Sequence, residues 1–262
     1  MRGAPRGGRS TVRPGPGPAV YHFVRLGLRT ICGAYVRIRV EGAHRLPADG
    51  PSIICFNHPS WLDPIVLAAS WPDPTRRLFI FGPREQDMAV GWRNRLITWT
   101  GRGVPFKPGG ADIKDATRRA VAVLRGGDCL AIAGEGRLSD REGELLPLET
   151  GLAHFAQMAG AAMVPTAVIG TRWVYFGKRI RIVFGDPVAH DAFPRGHAGG
   201  RAMTAEVETR LRAMIGGVED GPVPGRFGAW LSDAFNDRPW LDGARPAEPP
   251  SGDPPPHAPE GP

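Results

Sequence analysis

From residue 51 onward, compact apolar runs alternate with stretches of helical periodicity. Ser52–Phe56 is a continuous apolar run that predicts a buried strand, and Pro64–Ala69 predicts part of a helix. Arg77–Phe81 predicts a strand and Gln86–Trp99 a helix with Met88, Trp92, Leu96 and Trp99 on its apolar side. Gly103–Phe106 is a short strand, and Asp112–Leu124 a helix with Ala116, Ala120, Val123 and Leu124 inward. Cys129–Ala133, Leu152–Ala159 and Val164–Ile169 continue the series as strand, helix and strand. Arg179–Phe184 alternates charged with apolar residues, as a less buried strand nearer an edge does. Arg201–Ile215 closes the series as a helix. Strand–helix alternation of this kind predicts an α/β fold, a mostly parallel sheet flanked by helices.

An amphipathic helix precedes this body. Val20, Val24, Leu28, Ile31 and Tyr35 recur at helical spacing, while His22, Arg25 and Arg29 fall on another face. Arginines interrupt every stretch long enough to cross a bilayer, so the pattern fits a helix lying on a membrane surface. It also fits a helix packed on its own domain. The expected organisation is a disordered basic tail over 1–18, the amphipathic helix over 19–40, a central domain over 41–220, and a C-terminal extension over 221–262 that is disordered from about 241. Within the extension, Phe227–Trp240 fits a membrane-facing lip or a helix packed on the body.

Charge sharpens the picture of the N-terminal arm. The first 40 residues hold eight arginines and no acid, and the remainder has 25 Lys and Arg against 26 Asp and Glu. The net charge of +7 therefore belongs to the arm, which suits an anionic surface. A basic domain that grips nucleic acid is excluded on this distribution, and the P-loop, zinc-finger and aromatic RNA-binding patterns are missing from the sequence. Cys32, Cys55 and Cys129 are widely spaced in apolar surroundings, as buried inert thiols of a reducing compartment are.

The candidate chemistry centres on Asn57-His58-Pro59-Ser60-Trp61-Leu62-Asp63, between the first buried strand and its helix. Ser60 and Asp63 have capping-box spacing, and Asp63-Pro64 also fits an N-cap followed by a first-turn proline. Neither explains His58. A neutral imidazole with a carboxylate to fix its tautomer is what a base needs to take a proton from an alcohol. In a parallel sheet, other groups at strand ends would share its rim: Lys107 after Phe106, Glu135-Gly136-Arg137 after Ala133, and Thr171 and Arg172 after Ile169. Gly134 and Gly136 let backbone approach a bulky anion, and Arg137 can grip phosphate through its planar fork.

Over residues 40–190 the chain resembles the glycerolipid acyltransferases, the family that includes 1-acylglycerol-3-phosphate acyltransferase. The resemblance rests on four ordered blocks. Asn57–Asp63 is similar to the family's His-x4-Asp block, and Gly103-Val104-Pro105-Phe106-Lys107 sits where the second is expected. Glu135-Gly136-Arg137-Leu138-Ser139 is similar to the third, and Val164-Pro165 to the fourth. The third block usually begins with proline, where this chain has Gly134. The second usually ends in arginine, where this chain has Lys107.

The resemblance implies transfer of a fatty acyl group from acyl-CoA or acyl-carrier protein to a lysolipid hydroxyl, most simply 1-acylglycerol-3-phosphate. His58 would be the base and Asp63 its orienting partner. Glu135, Gly136, Arg137 and Lys107 would bind the acceptor, with the Gly136 backbone a candidate oxyanion donor. Direct transfer is expected, because no Gly-x-Ser-x-Gly elbow is present. No cofactor or metal is expected. The implied partners are the acyl donor, a lysophospholipid and an anionic membrane, and the implied location is peripheral, on the cytoplasmic face. Another lysolipid or a glycolipid acceptor, or a lipid-binding module without turnover, are the rival readings.

Overall fold

The structure, a computed structural model, describes residues 18–83, 100, 102–106 and 113–236. The expected tails, the helix over 86–99 and Lys107 lie outside the described residues. The elements are α1 (Pro18–Tyr35), β1 (Arg37–Glu41), β2 (Ser52–Phe56), α2 (Asp63–Ala69), β3 (Leu78–Pro83), β4 (Gly103–Phe106), α3 (Ile113–Arg125), β5 (Cys129–Ala133), α4 (Gly151–Ala159), β6 (Ala162–Ile169), β7 (Arg179–Phe184), α5 (His197–Ile215) and α6 (Arg226–Asn236).

Seven strands form one sheet in the order β1-β7-β6-β2-β5-β3-β4. Every neighbouring pair is parallel except β6 with β7. The sheet is mostly parallel and flanked by helices, as the alternation predicts. Central β2 is buried along its whole length. Ile53 and Cys55 point into a core shared with Leu124 of α3, Leu152 of α4 and Val207 of α5. Ile54 and Phe56 point into a second core with Val66 and Leu67 of α2. Burial of both strand faces explains why this segment is a continuous apolar run. Each fully buried Ile or Leu contributes about 1.5–3 kcal/mol relative to exposure.

One feature differs from the expected layout. The N-terminal helix ends at Tyr35, and Arg37–Glu41, inside the span assigned to that helix, is strand β1. β1 pairs residue for residue with β7, from Arg37 opposite Arg179 to Glu41 opposite Val183. β7 alternates in exposure and, with β1 outside it, lies second from the edge. The C-terminal helix α6 packs on the body through Ser232 and Asn236 while Phe227 and Trp230 stay exposed.

α1 has two apolar faces. Leu28, Cys32 and Tyr35 pack on the core below. Phe23, Leu26 and Ile31 point outward and are 77, 62 and 67% exposed. Ile31 thus lies on the opposite face from the one its spacing with Val24 and Leu28 predicts. No described helix is long and apolar enough to cross a membrane.

Candidate active site

β2 pairs in parallel with β5 on one side and β6 on the other, so the carboxyl ends of all three open on one rim. His58 lies two residues past β2, Glu135 two past β5 and Thr171 two past β6.

The turn between β2 and α2 is fastened at every step. The Asn57 side chain pairs with both backbone groups of Val168: Nδ2 donates to its carbonyl at 3.0 Å, and Oδ1 accepts its N–H at 2.7 Å. An amide side chain thus supplies one more rung where the β2–β6 ladder ends. The His58 backbone is held on both sides. Its N–H donates to Glu135 Oε1 at 2.8 Å, and its carbonyl accepts the Ser139 N–H at 2.9 Å. Phe56 and Trp61 stand edge-on to the imidazole, with ring centroids 5.8 and 5.4 Å away.

His58 Nδ1 lies 2.9 Å from Asp63 Oδ2. The same oxygen accepts the Ser60 backbone N–H at 2.9 Å, the reach-back half of a capping box. The serine hydroxyl completes the local turn by accepting the Leu62 N–H at 3.1 Å. The helix-start and imidazole-partner roles of Asp63 therefore coexist in one carboxylate. Asp63 is fully buried. That burial pushes its carboxyl above the ordinary range, against the hydrogen bond and charge of His58. A carboxylate on Nδ1 assigns the proton to that nitrogen and leaves Nε2 as the acceptor. Nε2 has no hydrogen-bond partner among the described residues. Asp63 Oδ1 and the Thr171 hydroxyl are also buried without a hydrogen bond among those residues, although Thr171 lies near enough to help lower the Asp63 carboxyl.

Glu135 is buried, and both of its oxygens face the protein's own backbone. Oε1 accepts from His58 and Oε2 from the Leu146 N–H at 2.8 Å. Burial raises its carboxyl, and the two amides oppose the shift. Its geometry is that of a brace under His58. The expected role of the Gly136 backbone as an oxyanion donor is corrected, because its N–H donates to the Ala133 carbonyl at 3.2 Å and closes the turn. Gly136 adopts φ 67°, the left-handed conformation that favours glycine. Arg137 follows it, exposed and with no hydrogen bond or ion pair among the described residues. Arg172 is buried and paired with Asp220 at 3.5 Å, so it is tied into the fold.

Gly134 has its own steric reason. A Cβ there would lie 2.7 Å from Leu148 Cδ2 and 2.8 Å from Cys55 Sγ. Its N–H also donates to the Phe56 carbonyl at 3.1 Å. Proline, usual at this place in the related block, would lose that bond and meet both neighbours. Burial holds Cys55 and Cys129 protonated, with thiols pushed up to about 12 and about 11. No cluster of His, Cys, Asp and Glu able to hold a metal ion occurs among the described residues.

The fold is thus a mostly parallel α/β sheet with a buried His–Asp pair at its carboxyl rim. The family model described as Acyltransferase matches residues 37–169, just over half of the 262 residues, and the chain belongs to that family. It is an O-acyltransferase, similar to the 1-acylglycerol-3-phosphate acyltransferases. The 1-acyl-sn-glycerol-3-phosphate acyltransferase of Bacillus subtilis (strain 168) is 24% identical over 203 residues, covering 74% of this chain and 96% of that protein. The crystal structure of the 1-acyl-sn-glycerophosphate (LPA) acyltransferase PlsC from Thermotoga maritima aligns with a TM-score of 0.55 at 18% identity, over 75% of this chain and 81% of that one. That likeness establishes a shared fold.

Asn57 and Ser60 lie inside the block that the sequence singles out, but their partners were not foreseeable from it. Thr171 was visible only as a residue at a strand end. Asn236, which contacts the same turn, carries no local signal at all.

Proposed function

We propose that the protein transfers a fatty acyl group from a thioester, acyl-CoA or acyl-carrier protein, to the free hydroxyl of 1-acylglycerol-3-phosphate, giving phosphatidate. The observation that carries this reading is the 2.9 Å bond between His58 Nδ1 and buried Asp63, with Nε2 unpartnered among the described residues. Nε2 takes the hydroxyl proton as the alcohol oxygen attacks the thioester carbonyl. Asp63 holds the tautomer and steadies the imidazolium. The tetrahedral intermediate collapses, the carbon–sulfur bond breaks, and the leaving thiolate takes the proton back from Nε2. Exposed Arg137, unpaired among the described residues, supports a phosphorylated acceptor over a neutral glycolipid. The outward apolar face of α1, beside the arginine-rich arm, supports attachment to an anionic membrane surface.

The test is thiol release from palmitoyl-CoA with and without 1-acylglycerol-3-phosphate, with the lipid product identified by mass spectrometry. Release should depend on the acceptor and yield phosphatidate. His58→Ala should lower turnover by a factor on the order of 10² to 10⁴, the usual worth of a positioned base. A folded His58→Ala variant with wild-type turnover would refute the mechanism.

A further inference from the structure

We infer that Asn236, the last residue of α6, is a positioning residue for the His58–Asp63 turn. Its side-chain oxygen accepts two hydrogen bonds, from Ser60 Oγ at 2.9 Å and from the Trp61 backbone N–H at 3.0 Å. A backbone N–H only donates, so the atom facing Trp61 is the amide oxygen, and the orientation of the side chain follows. Asn236 is 6% exposed and Ser60 fully buried, so water does not replace these bonds. The residue lies beyond the stretch matched by the family model, which ends at 169.

The two groups that Asn236 holds stand between the two halves of the proposed catalytic pair. The Ser60 N–H is the second donor to Asp63 Oδ2, at 2.9 Å. The Trp61 ring lies edge-on to the His58 imidazole at 5.4 Å. A shift of Ser60 and Trp61 therefore moves a donor to the carboxylate and a wall of the imidazole together. α6 has a second anchor that touches neither. The Ser232 hydroxyl accepts the Val174 N–H at 2.8 Å, on the loop after β6. By hydrogen bonds the helix is thus held to the body through Ser232 and to the turn through Asn236, beside the packing of Leu231 on the core, and the two bonded attachments separate stability from turnover.

The inference rests on the proposed acyl transfer and is tested with the full-length chain, palmitoyl-CoA and 1-acylglycerol-3-phosphate. Asn236→Ala should lower kcat on the order of 10- to 100-fold, the effect of a slight misplacement of catalytic groups, and leave KM for the donor within about twofold. Ser232→Ala loosens the same helix and should lower Tm comparably while keeping kcat within about threefold. Asn236→Asp keeps both acceptor bonds and should restore most of kcat. Its added negative charge favours the protonated imidazole, so the acid limb of kcat/KM should move to higher pH. Wild-type kcat in Asn236→Ala overturns the inference, as do equal kcat losses in Asn236→Ala and Ser232→Ala. Should Asn236→Ala fail to fold, Asn236→Gln decides: a kcat loss on the order of tenfold with Tm held upholds the role, and wild-type kcat overturns it. An inactive wild type on these substrates overturns the acyl-transfer reading itself, and the role of Asn236 with it.

Discussion

Glu135 and His58 are joined through the backbone: the carboxylate accepts the histidine N–H at 2.8 Å across a separation of 77 residues. The acidic residue of the Glu-Gly loop therefore props the strand end that carries the imidazole. Glu135→Gln keeps the shape but sets an NH2 group against one of the two backbone N–H donors. We expect a loss of about 1–3 kcal/mol in unfolding free energy. kcat should fall on the order of tenfold, with KM for the acceptor unchanged. Denaturant unfolding and steady-state kinetics check this, and a raised acceptor KM at constant kcat would instead assign Glu135 to substrate binding.

Gly134 is a packing requirement. Alanine would place its methyl within 2.8 Å of both Leu148 and Cys55 in the core. Overpacking of this kind costs about 1–3 kcal/mol. Gly151, at the start of α4, has open space at its Cβ position and serves as the control. Gly151→Ala should be neutral or slightly stabilising. Equal unfolding midpoints for the two variants would contradict the steric account.

Asp73 should contribute to acid unfolding. Its burial works to raise the carboxyl, but hydrogen bonds from Thr75 and Arg76 outweigh it and hold the group down to about 2, from 3.8. A depressed carboxyl stabilises the fold above its unfolded value and loses that contribution as pH falls from about 4 to about 2. Solvent screening at this surface turn keeps the contribution on the order of 1 kcal/mol. Asp73→Asn should flatten the stability profile in that window, read by denaturant unfolding at each pH. Glu142 has the opposite sign. Burial raises its carboxyl, so its contribution is lost as pH rises above 4.5 toward the folded value.

The outward face of α1 gives a clean membrane test. Phe23, Leu26 and Ile31 are exposed, so changing all three to serine should leave the fold intact. Binding to anionic vesicles should drop on the order of tenfold or more, because the apolar side chains no longer enter the interface. Vesicle sedimentation with a circular-dichroism control reads both quantities, and unchanged binding removes the face from membrane attachment. Deleting residues 1–40 is the poorer experiment, since it takes most of β1 from the sheet.

Elements with a local physical cause were legible in the sequence. β2 is apolar throughout because both faces are covered, and its junction with α2 carries a proline and a capping pattern. β1 was not legible. Arg37-Ile38-Arg39-Val40-Glu41 alternates over only five residues and follows α1 without a glycine or proline break, so helical spacing swallowed it. The antiparallel entry of β7 has no sequence mark either, because register and direction are set by partners far along the chain. Within the site, His58 and Asp63 were legible because they lie five residues apart. The inward use of Glu135 and the grip of Asn236 were hidden, because each bond joins side chain to backbone across long separations.

The order of synthesis follows from that last contact. Ser60 leaves the ribosome 176 residues before Asn236. At roughly 5–20 residues per second, the interval is on the order of ten seconds or more. Only once Phe184 ends β7, late in that interval, can a nascent chain hold every strand of the sheet, and it then still lacks the clasp that closes the His58–Asp63 turn.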